Sequence, residues 1–276
     1  MKLEEIAAQY LSERDCSTGY ESNLLRAARV AGDAGISSGS LTRAGVNQLL
    51  KKLSTAKSKI FAHNFRRELL TIWRYAYEEG LVKTPPDRIA KINPVSPPVK
   101  AWSLEELTRL SRCADQDDSA CGGLANPLVS EWLPLWIGIG YETAMRFTDI
   151  YTLTSENIRG NWVMTTAGKT GKALTRPVSA RTEKLIRATL DHSPDGSLFT
   201  HRLTRRRAFM AWRKFLDRHG FTGSSKFLRR SCATMLENRQ PGSASAYLQH
   251  SSPSLVYKHY IDQTLSRHWE GPPAIG

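Results

Sequence analysis

The chain has 276 residues, of which 40% are hydrophobic and 24% charged, and a formal net charge of +13. That is the composition of a folded protein of one large or two modest domains, which excludes wholesale disorder. The longest nearly uncharged apolar run, WLPLWIGIGY, is roughly half a membrane span, and the acidic opening MKLEEIAAQYL lacks the apolar core of a secretion signal; a cytoplasmic protein without a membrane partner is expected.

Everything in the first third reads as helix. In YESNLLRAARVAG the apolar residues recur at helical spacing. LTRAGVNQLLKKL follows, with Thr42 as a plausible N-cap and Val46, Leu49, Leu50 and Leu53 on one face. The longest predicted helix covers residues 56–79 and is ended by Gly80. Its core stripe is Ile60, Phe61, Phe65, Leu69, Ile72, Trp73 and Tyr77. The other side carries Lys57, Lys59, His63, Asn64, Arg66, Arg67 and Arg74. A basic helix face can lie along DNA and hold phosphates; a solvated charged face is the plainer reading of any single helix.

The composition changes once. TPPDRIAKINPVSPPVK, residues 84–100, contains Pro85, Pro86, Pro94, Pro97 and Pro98. Proline cannot continue a helix and stiffens an extended chain, so an interdomain linker is predicted. The division is a helical domain over 1–92, a linker over 93–100 and a second domain over 101–276.

Beyond the linker, Ser103 and Glu106 form a capping box that starts a new helix. A proline-interrupted apolar helix follows near residues 128–140. NWVMTT and LTRPV, separated by AGKTGKA, read as a β-hairpin with a glycine-containing turn. Helices return at 180–190, with Ser179 as cap, and at 204–219. Residues 227–260 read as two or three short helices. The fold class expected is mainly α with a small antiparallel sheet in the second domain.

Basic excess runs through the whole chain. Fifteen Lys and Arg stand against ten Asp and Glu over residues 1–91, and twenty-four against sixteen in the remainder. That distribution suits a polyanion partner such as DNA or RNA. The four cysteines, Cys16, Cys113, Cys121 and Cys232, form no C-x-x-C pair, which argues for reduced thiols rather than structural zinc or disulfides. There is no G-x-x-x-x-G-K-[ST] loop, no H-E-x-x-H and no carboxylate cluster, so nucleotide hydrolysis and two-metal nuclease chemistry lose their usual signatures.

Four segments stand out together. They are TAMRFTDIYTL with Arg146, the turn GKTGK with Lys169 and Lys172, KFLRRSCATML with Lys226, Arg229 and Arg230, and LQHSSPSLVYKHYID with His250, Tyr257, His259 and Tyr260. Their order resembles the tyrosine recombinase (phage integrase) family. TAMRFTDIYTL is similar to that family's T-G-L-R-x-x-E-L-x-x-L box, GKTGK to its mobile lysine turn, KFLRRSCATM to its H-x-L-R-H-T-x-A-T box and LQHSSP to L-G-H-S-S. The helices before the linker resemble its core-binding domain.

The resemblance implies a helical core-binding domain and a mostly helical α+β catalytic domain. It implies a site-specific recombinase that breaks and rejoins DNA through a 3′-phosphotyrosine link, with no cofactor, metal or ATP. Arg146 and Arg229 would clamp the phosphate oxygens, with Lys226 and His250 completing the cage. Tyr260 would be the nucleophile, with Tyr257 as rival, and Lys169 the general acid, with Lys172 as rival. Arg230 is the alternative to Arg229. Lys57, Lys59, His63, Asn64, Arg67, Arg74, Lys172 and Arg230 would contact DNA. The expected partner is double-stranded DNA, both domains closing around it as a clamp, with a homo-oligomer, four protomers in the synapse, near the nucleoid.

Five positions depart from the family pattern. Lys226 and Arg230 stand at usual histidines, Asp149 at a glutamate, and Ala144 and Gln249 at glycines. A lysine ammonium donates but does not accept. Lys226, Arg230 and Gln249 support the alternative of a DNA-binding protein that no longer cuts; a type IB-like topoisomerase is the other.

Overall fold

The computed structural model describes residues 1–122, 127–168, 170–250 and 252–266. It divides into two compact units, Met1–Pro97 and Pro98–Gly276. Among the described residues no helix is long and apolar enough to cross a membrane.

The first unit holds four helices: α1 (Leu3–Ser12), α2 (Thr18–Asp33), α3 (Arg43–Ala56) and α4 (Lys59–Glu78). Three begin at a side-chain cap. Ser17, Thr42 and Ser58 accept hydrogen bonds from the amides of Tyr20, Gly45 and Phe61, satisfying donors that the first turn leaves free. The helix expected over 56–79 is thus two elements. Lys57 leaves helical geometry (φ −120, ψ −84), and the Ser58 cap restarts the helix at Lys59. The core stripe also differs. Ile60 and Tyr77 are 50% and 44% exposed, whereas Ala62, Leu70, Tyr75 and Ala76 are buried. Ile6, Leu24, Val46, Leu50, Leu69 and Trp73 form the core.

The early part of the proline-rich stretch is bound into this unit. The Trp73 indole donates to Thr84 O at 2.8 Å. Arg66 donates to the carbonyls of Ala90 and Ile89 at 2.8 and 3.0 Å, and the Asn47 amide oxygen accepts from Ala90 N at 2.9 Å.

The second unit contains α5 (Leu104–Asp115), α6 (Val129–Glu142), α7 (Phe147–Tyr151), β1 (Ile158–Arg159), β2 (Trp162–Thr166), β3 (Ala173–Pro177), α8 (Ala180–Asp191), α9 (Arg205–Arg218), α10 (Lys226–Arg239), α11 (Ser243–Tyr247) and α12 (Pro253–Tyr260). Both halves of the Ser103/Glu106 capping box form. Helix α6 is central, with Trp132, Leu133, Leu135, Trp136 and Ile139 buried. Helix α10 crosses it closely: a Cβ on Gly140 would meet Leu228 Cδ1 at 2.8 Å.

The sheet is antiparallel in the order β1-β2-β3, with Thr166 opposite Ala173 and Val163 opposite Arg176. The hairpin was legible; β1, two residues turning back at Gly160 with φ 59, was not. The start of the unit is pinned to its end. Ala101 N donates to Asp262 Oδ2 at 2.9 Å, and Trp102 N to Ser231 Oγ at 2.8 Å.

Candidate active site

Helix α6 ends at Glu142, and the chain turns sharply through Ala144 at φ 54 before Arg146 caps α7. The turn exposes the Ala144 carbonyl to α10, where Arg229 donates a hydrogen bond to it. Arg229 is 8% exposed. A fixed guanidinium at this depth is worth more for binding an anion than a solvated one, because its rotamer and direction are already set.

Helix α7 supplies a carboxylate in its first turn. Asp149 lies 3.6 Å from the Arg146 guanidinium, the two side chains being 9% and 29% exposed. Asp149 thus stands beside Arg146, and both border the cavity. Next, the α11–α12 connection turns through Gln249 at φ 52 and presents His250. Its ring stands edge-on to Tyr260 with centroids 6.0 Å apart. Tyr260 ends α12, and the Arg229 guanidinium carbon is 5.1 Å from its ring centroid.

Arg146, Lys172, Arg229, His250 and Tyr260 therefore border one cavity of about 500 Å³, with Asp149 as its carboxylate. Burial lowers the Arg229 guanidinium from its ordinary value, as does the like charge of Arg146, while Tyr260 opposes them. The group remains a cation at any neutral pH. Among the described residues, two buried nitrogens of the site, Arg229 Nε and His250 Nδ1, have no hydrogen-bond partner. Orphaned polar groups at a cationic cavity are what an anion's oxygens would satisfy.

Other sequence-predicted residues lie elsewhere. Lys226 is exposed in the first turn of α10 and is not among the residues bordering the cavity. Arg230 points away: it donates to Lys100 O at 3.4 Å and lies 5.6 Å over the Phe227 ring. Tyr257 donates to the Glu237 carboxylate. Lys169 lies outside the described residues. In the first unit, Lys57, Lys59, Asn64 and Arg74 are exposed, Arg67 donates to Glu68 Oε1 at 3.0 Å, and His63 Nδ1 is taken by Ile92 O at 2.8 Å.

The sequence reading passed over another cationic surface. Helix α9 exposes Arg205, Arg206, Arg207, Arg213 and Lys214, beside Phe209 and Met210, which are also exposed. The signal was the run RRR behind the Thr204 cap. By itself it reads as no more than part of the helix expected over 204–219. Among the described residues no group of three or more His, Cys, Asp or Glu is placed to hold a metal ion.

The fold is shared with solved integrases and a solved site-specific recombinase. The model of the family described as phage integrase matches residues 122–267. The solved structure of a lambda integrase dimer bound to a COC′ core site superposes with a TM-score of 0.78 at 15% identity, covering 100% of this chain and 81% of that one. A lambda integrase tetramer bound to a Holliday junction gives 0.76 at 15% identity, covering 98% and 79%. The XerH site-specific recombinase bound to palindromic difH substrate gives 0.67 at 20% identity, covering 89% and 76%. No curated protein sequence matches the chain at a significant level.

Proposed function

Because this chain belongs to the phage integrase family of tyrosine recombinases, we propose that it is a site-specific DNA recombinase working through a 3′-phosphotyrosine intermediate. The observation that carries the reading is the convergence of Arg146, Arg229, His250 and Tyr260, from three separate segments, on one cavity with two nitrogens that have no partner among the described residues.

The chemistry follows from those groups. A phosphodiester seated in the cavity places its non-bridging oxygens on Arg146 and Arg229, with His250 as a further donor. Tyr260 loses its phenolic proton to water and its oxygen forms a bond to phosphorus. The bond from phosphorus to the 5′ oxygen breaks, and that oxygen takes a proton from a lysine ammonium of the 169–172 turn. The clamp matters because negative charge grows on the non-bridging oxygens as the new bond forms; one such donor is worth about 10²–10⁵ in rate. The ester conserves the bond energy, so resealing requires neither ATP nor metal.

Residues 1–92 act in this reading as the core-binding domain, 93–100 as the linker and 101–276 as the catalytic domain. The exposed cations of α4 and α9 hold phosphates. Exchange between two sites takes several protomers, and the tetrameric lambda integrase complex supports four. A DNA-binding member that no longer cuts is the competing reading, favoured by Lys226 lying outside the cavity.

The test uses nicked duplexes selected from a randomised library by covalent capture on the full chain. The reading expects detergent-stable, protease-sensitive adducts that Tyr260→Phe abolishes. No adduct with wild-type protein, or full adduct with Tyr260→Phe, overturns it.

A further inference from the structure

We propose that Gln249 is a positioning residue for the hairpin lysine Lys172: its side-chain amide latches the outer edge of β3 to the loop that carries His250. The proposal rests on the recombinase reading above and adds to it a link between two parts of the site.

Three contacts join β3 and the residue before it to the end of α11 and the α11–α12 connection. Gln249 Nε2 donates to Ala173 O at 2.8 Å. Lys172 Nζ donates to Gln249 O at 3.3 Å. Arg176, whose guanidinium carbon is 4.2 Å over the Tyr247 ring, donates to Tyr247 O. Arg176 thus anchors the far end of β3, and Gln249 anchors the end next to the lysine turn.

The ladder explains why Ala173 is available. Ala167 N donates to Lys172 O at 2.9 Å, so the next pair, Thr166 and Ala173, is a non-hydrogen-bonded one. The Ala173 carbonyl then faces away from β2, and β3 is an edge strand. An edge carbonyl usually goes to water or to another strand. Here a side-chain amide takes it.

Gln249 makes this contact from the left-handed region, at φ 52. Any residue with a Cβ is strained there and glycine is not. A long amide at such a position gains something that glycine lacks, and the Ala173 contact is that gain. A general acid has to sit within hydrogen-bond reach of the departing oxygen. Fixing Ala173 restricts the adjoining turn and keeps the Lys172 ammonium at the cavity instead of letting the last ladder pair fray.

The full chain is compared with Gln249→Ala and Gln249→Glu, the second keeping length but losing the donor. The substrates are the captured nicked duplexes, made with the ordinary 5′ oxygen and with a 5′ bridging sulfur. Sulfur departs as thiolate and does not need the lysine proton. The latch predicts that both variants cut the oxygen substrate about tenfold or more slowly, and the sulfur substrate at the wild-type rate. Wild-type rates on both, or equal slowing on both, overturn it. If the wild-type chain captures no duplex, the recombinase reading falls separately, and hydrogen exchange decides the latch. Faster exchange of the 167–173 amides in Gln249→Ala supports it, and unchanged exchange overturns it.

Discussion

The Tyr257 hydroxyl donates to the buried carboxylate of Glu237, twenty residues earlier in the chain. That bond, then burial, then the carboxylate charge raise the Tyr257 phenol from its ordinary value. Tyr260, one turn on, faces Arg229 and His250 instead. The two tyrosines sit close in sequence and have been given opposite tasks by their neighbours. Tyr257→Phe is expected to keep covalent adduct formation within about threefold of wild type and to cost roughly 1–3 kcal/mol of stability, because Glu237 loses a donor. Adduct gels and urea unfolding of the same preparations check both halves.

Gly140 marks the closest approach of α6 to α10. An added Cβ would meet Leu228 Cδ1 at 2.8 Å and Ile150 Cδ1 at 3.3 Å. Overpacking of this kind costs about 1–3 kcal/mol. Leu228 precedes Arg229, so the displacement reaches the clamp. Gly140→Ala is expected to lower the melting temperature and to slow single-turnover cleavage more than it weakens DNA binding. A variant that melts lower but cuts at the wild-type rate would detach the helix crossing from the site.

Asp117 is the buried acid beneath the turn that follows α5. Burial raises its carboxyl, but hydrogen bonds from Ser119, His219 and Arg218 outweigh that and hold it at about 2. Arg218 and His219 approach Asp117 Oδ2 to 2.7 and 2.8 Å. A lowered acid stabilises the fold above its unfolded value near 3.8. That contribution is lost as pH falls through the folded value. It amounts to about 2 kcal/mol. In Asp117→Asn the difference in stability from wild type should be full at pH 7, shrink below pH 4 and approach its floor near pH 2, as followed by urea unfolding across the pH series.

The exposed cations of α4 predict salt dependence. Each phosphate contact removed flattens the slope of log K against log salt by about 0.9. Lys59→Ala and Arg74→Ala should each do so. Arg66 is the control, because its guanidinium is already committed to the Ala90 and Ile89 carbonyls. Arg66→Ala should lower stability and leave the slope unchanged. Fluorescence anisotropy at several salt concentrations separates the cases.

Much of the architecture was readable because its signals are local. An N-cap and the amide it captures are three residues apart, as at Thr42, Ser103 and Ser179, and helical or alternating periodicity needs only a short window. The same locality explains the misreadings. The apolar phase runs on through Lys57, so the break before α4 rested on one serine cap, and β1 is too short to show a period.

What tertiary packing alone decided is which of the site's named side chains meet in one cavity. The reach of Arg229 to a carbonyl eighty-five residues away, the turning of Arg230 toward Lys100, and the placing of Lys226 outside the cavity all depend on how α10 is rotated against α6. Gly140 and Leu228 set that rotation. The motif order favours Arg229 over Arg230, but only a contact between residues distant in the chain turns it inward. Ala144 and Gln249 show the same division: their names carry no preference for a left-handed backbone, and the packed turns on either side impose it.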